Sequence, residues 1–213
     1  CFAMFLFSSC SIRKHIPENN MLLKKNIVKV NSDNVDFTKS DVQPCIVQSE
    51  NQNILGFLPL QWVYYVTENK TDKKFYNWIN RTIGKKPIYL SEELKENSIS
   101  QIRKYLNDIG YFNSGISTVI NNKKGIAKIT YNIYPARPYI IDSVSYKISD
   151  STILDYILEI EPTLPIKKGE IYNAFNFDEE RDLITEHLNN NGYFYFTKDY
   201  VFMEVDTNFR DFK

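Results

Sequence analysis

Histidine and cysteine are scarce in this chain of 213 residues, and neither sign of charge is in excess. There are two histidines, three cysteines, and 26 basic against 26 acidic side chains, so the formal net charge is zero. A general nucleic-acid binder carries a basic surplus to offset phosphate charge, so that class is disfavoured. His15 falls in a polar stretch and His187 on a predicted helix, where a surface-facing role is expected; no His/Cys/Asp cluster has metal-ligand spacing. Gly84-Lys85-Lys86 lacks the upstream glycine and the following Ser/Thr of a phosphate loop, and no Gly-x-Ser-x-Gly elbow occurs. The acidic trio Asp178, Glu179 and Glu180 suits the positive start of a helix better than acid–base chemistry. No catalytic residue, cofactor or metal site is assigned, and an enzyme is not expected.

Long apolar runs are missing too. Residues 1–7 are nearly all apolar but too few to span a bilayer. Followed by Ser8-Ser9-Cys10, they resemble the tail of a secretory signal peptide, of the lipoprotein type in which Cys10 is acylated as the lipid anchor. Phe7 stands where that pattern usually has Leu. On this reading 1–10 is a signal remnant, 11–21 a tether containing Pro17, and Cys45 the one thiol of the mature body. A single thiol forms no internal disulfide, and Cys45 is expected as a half-buried small hydrophobe.

What is abundant is apolar and aromatic: 43% of the chain is hydrophobic, with 15 Tyr and 14 Phe, enough for real cores. The strongest pattern is a repeat. Ile-Arg-Lys-Tyr-Leu-Asn-Asp-Ile-Gly-Tyr-Phe at 102–112 returns as Ile-Thr-Glu-His-Leu-Asn-Asn-Asn-Gly-Tyr-Phe at 184–194, each residue 82 further on. Such a repeat means two copies of one folding unit. In the first copy Ser91 marks a helix start, and Ile99, Ile102, Leu106 and Ile109 form an apolar stripe. Gly110 supplies a left-handed cap, after which Tyr111 and Phe112 can fold back on the stripe. Gly192, Tyr193 and Phe194 do the same in the second copy.

Around these helices the pattern predicts strands at 22–30, 116–120 and 126–134, with a polar hairpin turn at 121–125, and a short helix within 37–48 limited by Pro44. The second unit reads as a strand at 139–148, a short helix capped by Asp150 or Ser151, the long helix at 177–191, and a strand at 200–206. Residues 54–66 and 75–83 are rich in apolar and aromatic side chains and are expected to pack on the first unit as an insertion. The alternative is an aromatic surface for a partner or a membrane interface.

Strand–helix–helix–strand–strand with Gly-Tyr-Phe closing the second helix resembles the POTRA domain of the BamA/TamA outer-membrane protein assembly family. The resemblance runs from Leu22 to the end. Ile102, Leu106, Gly110, Tyr111 and Phe112 carry it, with their counterparts Ile184, Leu188, Gly192, Tyr193 and Phe194, and the lead-in segments 135–141 and 166–172 add to it. Within the family the chain is most similar to the TamA-like proteins of Bacteroidetes, which often begin with a lipoprotein-like signal. The implied fold is α+β: two tandem units, each a three-stranded mixed sheet with two helices on one face. The first spans 22–135 with an insertion at about 54–83, and the second spans 136–213 and is incomplete at its third strand. The implied place is the periplasmic face of the outer membrane, and the implied partners are unfolded outer-membrane proteins and a downstream membrane barrel. The barrel is not in this sequence; a free-standing periplasmic lipoprotein adaptor that scaffolds an envelope complex is the alternative. Client strands are expected to pair along sheet edges by β-augmentation. The candidate edges are Ile116, Ser117, Thr118, Val119 and Ile120 in the first unit and Tyr200, Val201 and Phe202 in the second.

Overall fold

Ala127, Ile129, Tyr131 and Ile133 alternate with more polar residues, and all four are fully buried. That period of two makes 126–134 a strand with one face in a core. The computed structural model describes residues 15–54, 58–68, 74–75, 78, 82 and 84–206. The signal remnant with Cys10, residues 11–14 of the tether, parts of the insertion, and 207–213 lie outside the described residues. The chain divides into two compact units, one of the residues up to Tyr105 with Ser114–Pro135, the other of Leu106–Asn113 with Ala136 onward.

In the first unit, strands β1 (Leu22–Val30), β4 (Gly115–Lys123) and β5 (Ile126–Tyr134) form one sheet in the order β1-β5-β4. β1 runs parallel to the central β5, and β4 runs antiparallel to it. Between β1 and β4 come the short helix α1 (Lys39–Val42), the two-residue strands β2 (Asn53–Ile54) and β3 (Leu58–Pro59), the helix α2 (Leu60–Glu68) and the long helix α3 (Glu92–Asp108). Thr38 starts α1 through Asp41, whose carboxylate accepts from the Thr38 backbone N–H at 2.7 Å and from its hydroxyl at 2.8 Å. Those two donors hold the Asp41 carboxyl below its usual range. Ser91 caps α3 by accepting from the Leu94 N–H at 3.3 Å. The β4–β5 turn is two residues, Lys124 and Gly125, both with positive φ (55° and 80°), the type I′ geometry that suits a twisted hairpin.

The insertion divides. Leu60 and Val63 of α2 are buried, as expected of core positions. Phe75 and Trp78 are 65% and 58% exposed. Their helical spacing gives two aromatics one face, and spacing alone does not say which face meets a core.

In the second unit, α4 (Ser151–Ile160) and α5 (Phe175–Asn190) enclose a core of Ile157, Leu164, Ile184 and Leu188. Asp150 caps α4, its carboxylate accepting from the N–H groups of Thr152 at 2.8 Å and Ile153 at 3.4 Å. His187 is half-buried rather than surface-facing, with Tyr156 edge-on and Glu159 3.6 Å from Nε2. The expected strands at 139–148 and 200–206 are not laddered: the first is held by one antiparallel bridge, Ile140 to Ile171, and the second opens in a 3-10 turn at Lys198–Tyr200. In the first unit both outer strands pair with the central β5. The residue 82 positions after Ile126 is 208, outside the described residues, so neither segment has its central partner in the described part of the unit.

Candidate client-binding edge

A three-stranded sheet has two edges, and here they are built differently. The outer side of β1 is covered along its first half. The Leu23 N–H donates to Ile88 O at 3.0 Å, and Leu23 O accepts from the Asn51 N–H at 3.0 Å. The Asn51 side chain adds three more bonds: Nδ2 donates to Leu23 O at 2.8 Å and to Ile88 O at 2.6 Å, and Oδ1 accepts from the Ile88 N–H at 2.9 Å. Further along, the Asn26 N–H meets the Glu50 carboxylate at 2.7 Å, and Asn26 Nδ2 donates to Gln48 O at 2.8 Å. As far as Asn26, this edge is capped by the protein's own segments.

The outer side of β4 has no such cover. Among the described residues no backbone–backbone hydrogen bond reaches residues 115–123 except those of its ladder with β5. The register pairs Ile116 with Ile133, Thr118 with Tyr131 and Ile120 with Ile129, so these three share the face of the buried β5 residues. Ser117 and Val119 face the other way, and Val119 is 56% exposed. The strand thus offers an unpaired backbone rim with small and β-branched side chains, which fits strand addition with little demand on client sequence.

The second expected edge is corrected by the structure. Tyr200 ends the 3-10 turn, and Val201 packs against the second core while its carbonyl accepts from Arg181 Nε at 3.1 Å. Phe202 is 86% exposed but belongs to no strand. Tyr200, Val201 and Phe202 therefore do not form a strand edge.

The repeat-defining residues build the same helix end twice. The Tyr111 N–H donates to Leu106 O at 2.7 Å and the Gly110 N–H to Asn107 O at 3.0 Å. The Tyr193 N–H donates to Leu188 O at 3.0 Å and the Gly192 N–H to Asn189 O at 3.2 Å. Both are Schellman ends with glycine in the left-handed region. Tyr111 is buried and Tyr193 packs on the second core. Phe112 lies against the rings of Tyr139 and Tyr172, whereas Phe194 is exposed. The lead-in segments of the second unit join each other: the Ile141 N–H donates to Glu170 O at 2.9 Å and the Tyr172 N–H to Tyr139 O at 2.8 Å. The same joint occurs in the first unit between Leu22 and Tyr89. Tyr89 and Ile171 stand 82 residues apart, like the helix ends, but Leu22 and Ile140 stand 118 apart, so the insertion adds 36 residues between strand and long helix.

Titratable groups tell of packing rather than of chemistry. Burial pushes the Cys45 thiol up, away from a reactive thiolate. Glu180, one of the acidic trio near the start of α5, is only 3% exposed, and its carboxylate accepts from the Ile166 N–H at 3.0 Å. Burial raises its pKa, and the Ile166 bond opposes that. Burial, with Glu180 and Glu161 adding to it, pushes Tyr146 up to about 12. Among the described residues no group of His, Cys, Asp and Glu is placed to hold a metal, and no helix is long and apolar enough to cross a membrane.

Family models match the chain at POTRA, described as a surface antigen variable number repeat, over residues 66–136 and again over 140–209. No curated protein matches it. Among solved structures it is similar to Haemophilus influenzae BamA POTRA3-5, at 10% identity over 84% of this chain and 89% of that one, with a TM-score of 0.26. The family matches carry the assignment, and they fall on both copies of the Gly-Tyr-Phe helix end. The chain belongs to the POTRA family and contains two of its units in tandem.

Proposed function

We propose that this chain is the periplasmic substrate-binding arm of an outer-membrane protein assembly or translocation protein of the BamA/TamA kind. It works at the periplasmic face of the outer membrane, takes up unfolded outer-membrane proteins as extended strands along β4, and passes them to a membrane barrel. The observation that carries this reading is the contrast between the edges: β1 is capped by residues 48–51 and 88, and β4 is open among the described residues. An unfolded barrel strand brings unmet backbone donors and acceptors, and pairing along β4 satisfies both partners. Membership of the POTRA family supports the same role. Cys10, acylated, would tether the arm to the membrane.

A photocrosslinking side chain placed at Ser117 or Val119 tests this. With a denatured outer-membrane barrel protein diluted into the reaction, crosslinks are expected at these two positions and not at Lys25 on β1. Backbone N–H groups alternate sides along a strand, so of Thr118→Pro and Val119→Pro one removes an outward donor and the other a bond to β5. The variant that leaves the melting temperature unchanged should lose most of the crosslink. An undiminished crosslink in that variant, or equal labelling from Lys25, contradicts strand pairing at β4.

A further inference from the structure

One sequence pattern builds the ends of α3 and α5, but only the first is covered. In the compact unit of Leu106–Asn113 with Ala136 onward, the α3 end rests on the lead-in joint formed by Ile140 and Ile171. Gly110 O accepts from the Tyr139 N–H at 2.9 Å, and Asp108 O from the Ala174 N–H at 2.7 Å. The Phe112 ring centroid lies 4.8 Å from that of Tyr139 and 5.3 Å from that of Tyr172. The α5 end carries the same groups 82 residues on, at Asn190, Gly192 and Phe194. There Phe194 is 79% exposed, and a Cβ on Gly192 would meet nothing within 4 Å. Among the described residues no hydrogen bond uses Asn190 O or Gly192 O.

The chain holds a second joint of the same build, between Leu22 and Tyr89. The Leu90 N–H donates to Met21 O at 2.7 Å, as the Tyr172 N–H donates to Tyr139 O at 2.8 Å. Met21 and Leu90 are therefore the counterparts of Tyr139 and Tyr172, and Glu92, 82 residues before Ala174, is the counterpart of that donor. Met21 and Leu90 are half-buried, and among the described residues no hydrogen bond uses the Met21 N–H or the Glu92 N–H.

We propose that copies of this chain join head to tail, the α5 end of one seated on the Leu22–Tyr89 joint of the next. The unpaired groups match in kind and order: Gly192 O meets the Met21 N–H, Asn190 O meets the Glu92 N–H, and Phe194 lies on Met21 and Leu90. Thioether and aliphatic side chains suit an aromatic ring as well as the two tyrosines do. Charge matches too, because the C-terminus of α5 carries partial negative charge and the N-terminus of α3 partial positive charge. An apolar partner without such donors would cover Phe194 and bury two carbonyls unpaired, which is costly. A second copy brings the donors, on the frame that already serves the α3 end. The contact is heterologous, so it extends beyond a symmetric pair.

Sedimentation velocity of the whole chain, from about 10 μM to about 1 mM, tests this. Reversible association that passes beyond the dimer is expected. Phe194→Ser should weaken it by about tenfold or more, and so should Met21→Glu on the opposite face. Phe202→Ser, at a ring 86% exposed but outside the α5 end, should leave it unchanged. Mixed in equal amounts, the Phe194→Ser and Met21→Glu chains should form a dimer and grow no further, because one keeps only the joint and the other only the helix end. Gly192→Ala carries the test if Met21→Glu disturbs β1: its Cβ has open space within the chain but would meet the Leu90 carbonyl across the contact, so association should weaken. A chain that stays monomeric throughout, equal loss on Phe202→Ser, or a mixture of folded variants that does not associate overturns the proposal. Substitutions in β4 should leave association unchanged, so this inference and strand capture stand or fall separately.

Discussion

The two helix-ending glycines have nearly the same backbone angle, φ 88° at Gly110 and 97° at Gly192, but different surroundings. A Cβ on Gly110 would lie 2.6 Å from the backbone oxygen of Tyr172, whereas one on Gly192 would meet nothing within 4 Å. Gly192→Ala should therefore cost about 1 kcal/mol for the left-handed conformation alone, and Gly110→Ala about 3 kcal/mol because backbone must also move. Chemical denaturation of the two variants measures this; equal losses would mean that the approach of Tyr172 does not matter. The need for glycine was legible at both positions, because a helix end is a local pattern. The approach of Tyr172 was not, because nothing near Gly110 in sequence announces a partner 62 residues on. Lys124, at φ 55° in the hairpin turn, occupies a position that suits Asn better, and Lys124→Asn should stabilise the first unit by about 0.5–1 kcal/mol. Glu180 gives a pH signature. Its folded pKa is raised, so the folded state favours the neutral acid and its penalty for burying charge is absent at low pH. That penalty grows as pH rises from the ordinary glutamate range to the raised folded value, then stays constant. The native chain should lose stability relative to Glu180→Gln across that window, and a difference independent of pH would contradict the burial of a charge there.

At the scale of elements, what could be read depended on whether the signal was local. The structure chooses Asp150 over Ser151 as the cap of α4, and the span of β5 and the N-cap Ser91 follow from residues within a few positions of one another. The cap on β1 does not: Asn51 reaches Leu23 and Ile88 across 28 and 37 residues. Its type, common in loops, hid a structural role. Asn51→Ala removes three side-chain hydrogen bonds and should destabilise the first unit by about 2–3 kcal/mol. Exchange of the Leu23 and Ile88 amides should accelerate with it, as amide exchange measured by NMR would show. Unchanged protection at both would mean that the edge is held closed by something else. The strand expected at 200–206 failed for a reason of the same kind. Its alternating residues suit a strand, but a strand exists only with a partner, and the pairing of Val201 with Arg181 occupies that carbonyl instead.

At the scale of the whole molecule, the duplication explains the architecture and the unequal edges point to the role. The 82-residue offset relates the two Schellman ends and the two lead-in joints at Tyr89 and Ile171. Between strand and long helix the first unit is 36 residues longer than the second, and that connection carries the segment that caps β1. With β1 covered as far as Asn26, the proposed role gives an arriving strand β4 to pair with. Hydrogen–deuterium exchange of the whole chain, with and without a denatured outer-membrane barrel protein, tests this most directly. The account predicts new protection at alternate amides of 115–123 and no change along β1. Protection confined to β1, or spread over both units with none in β4, would contradict it.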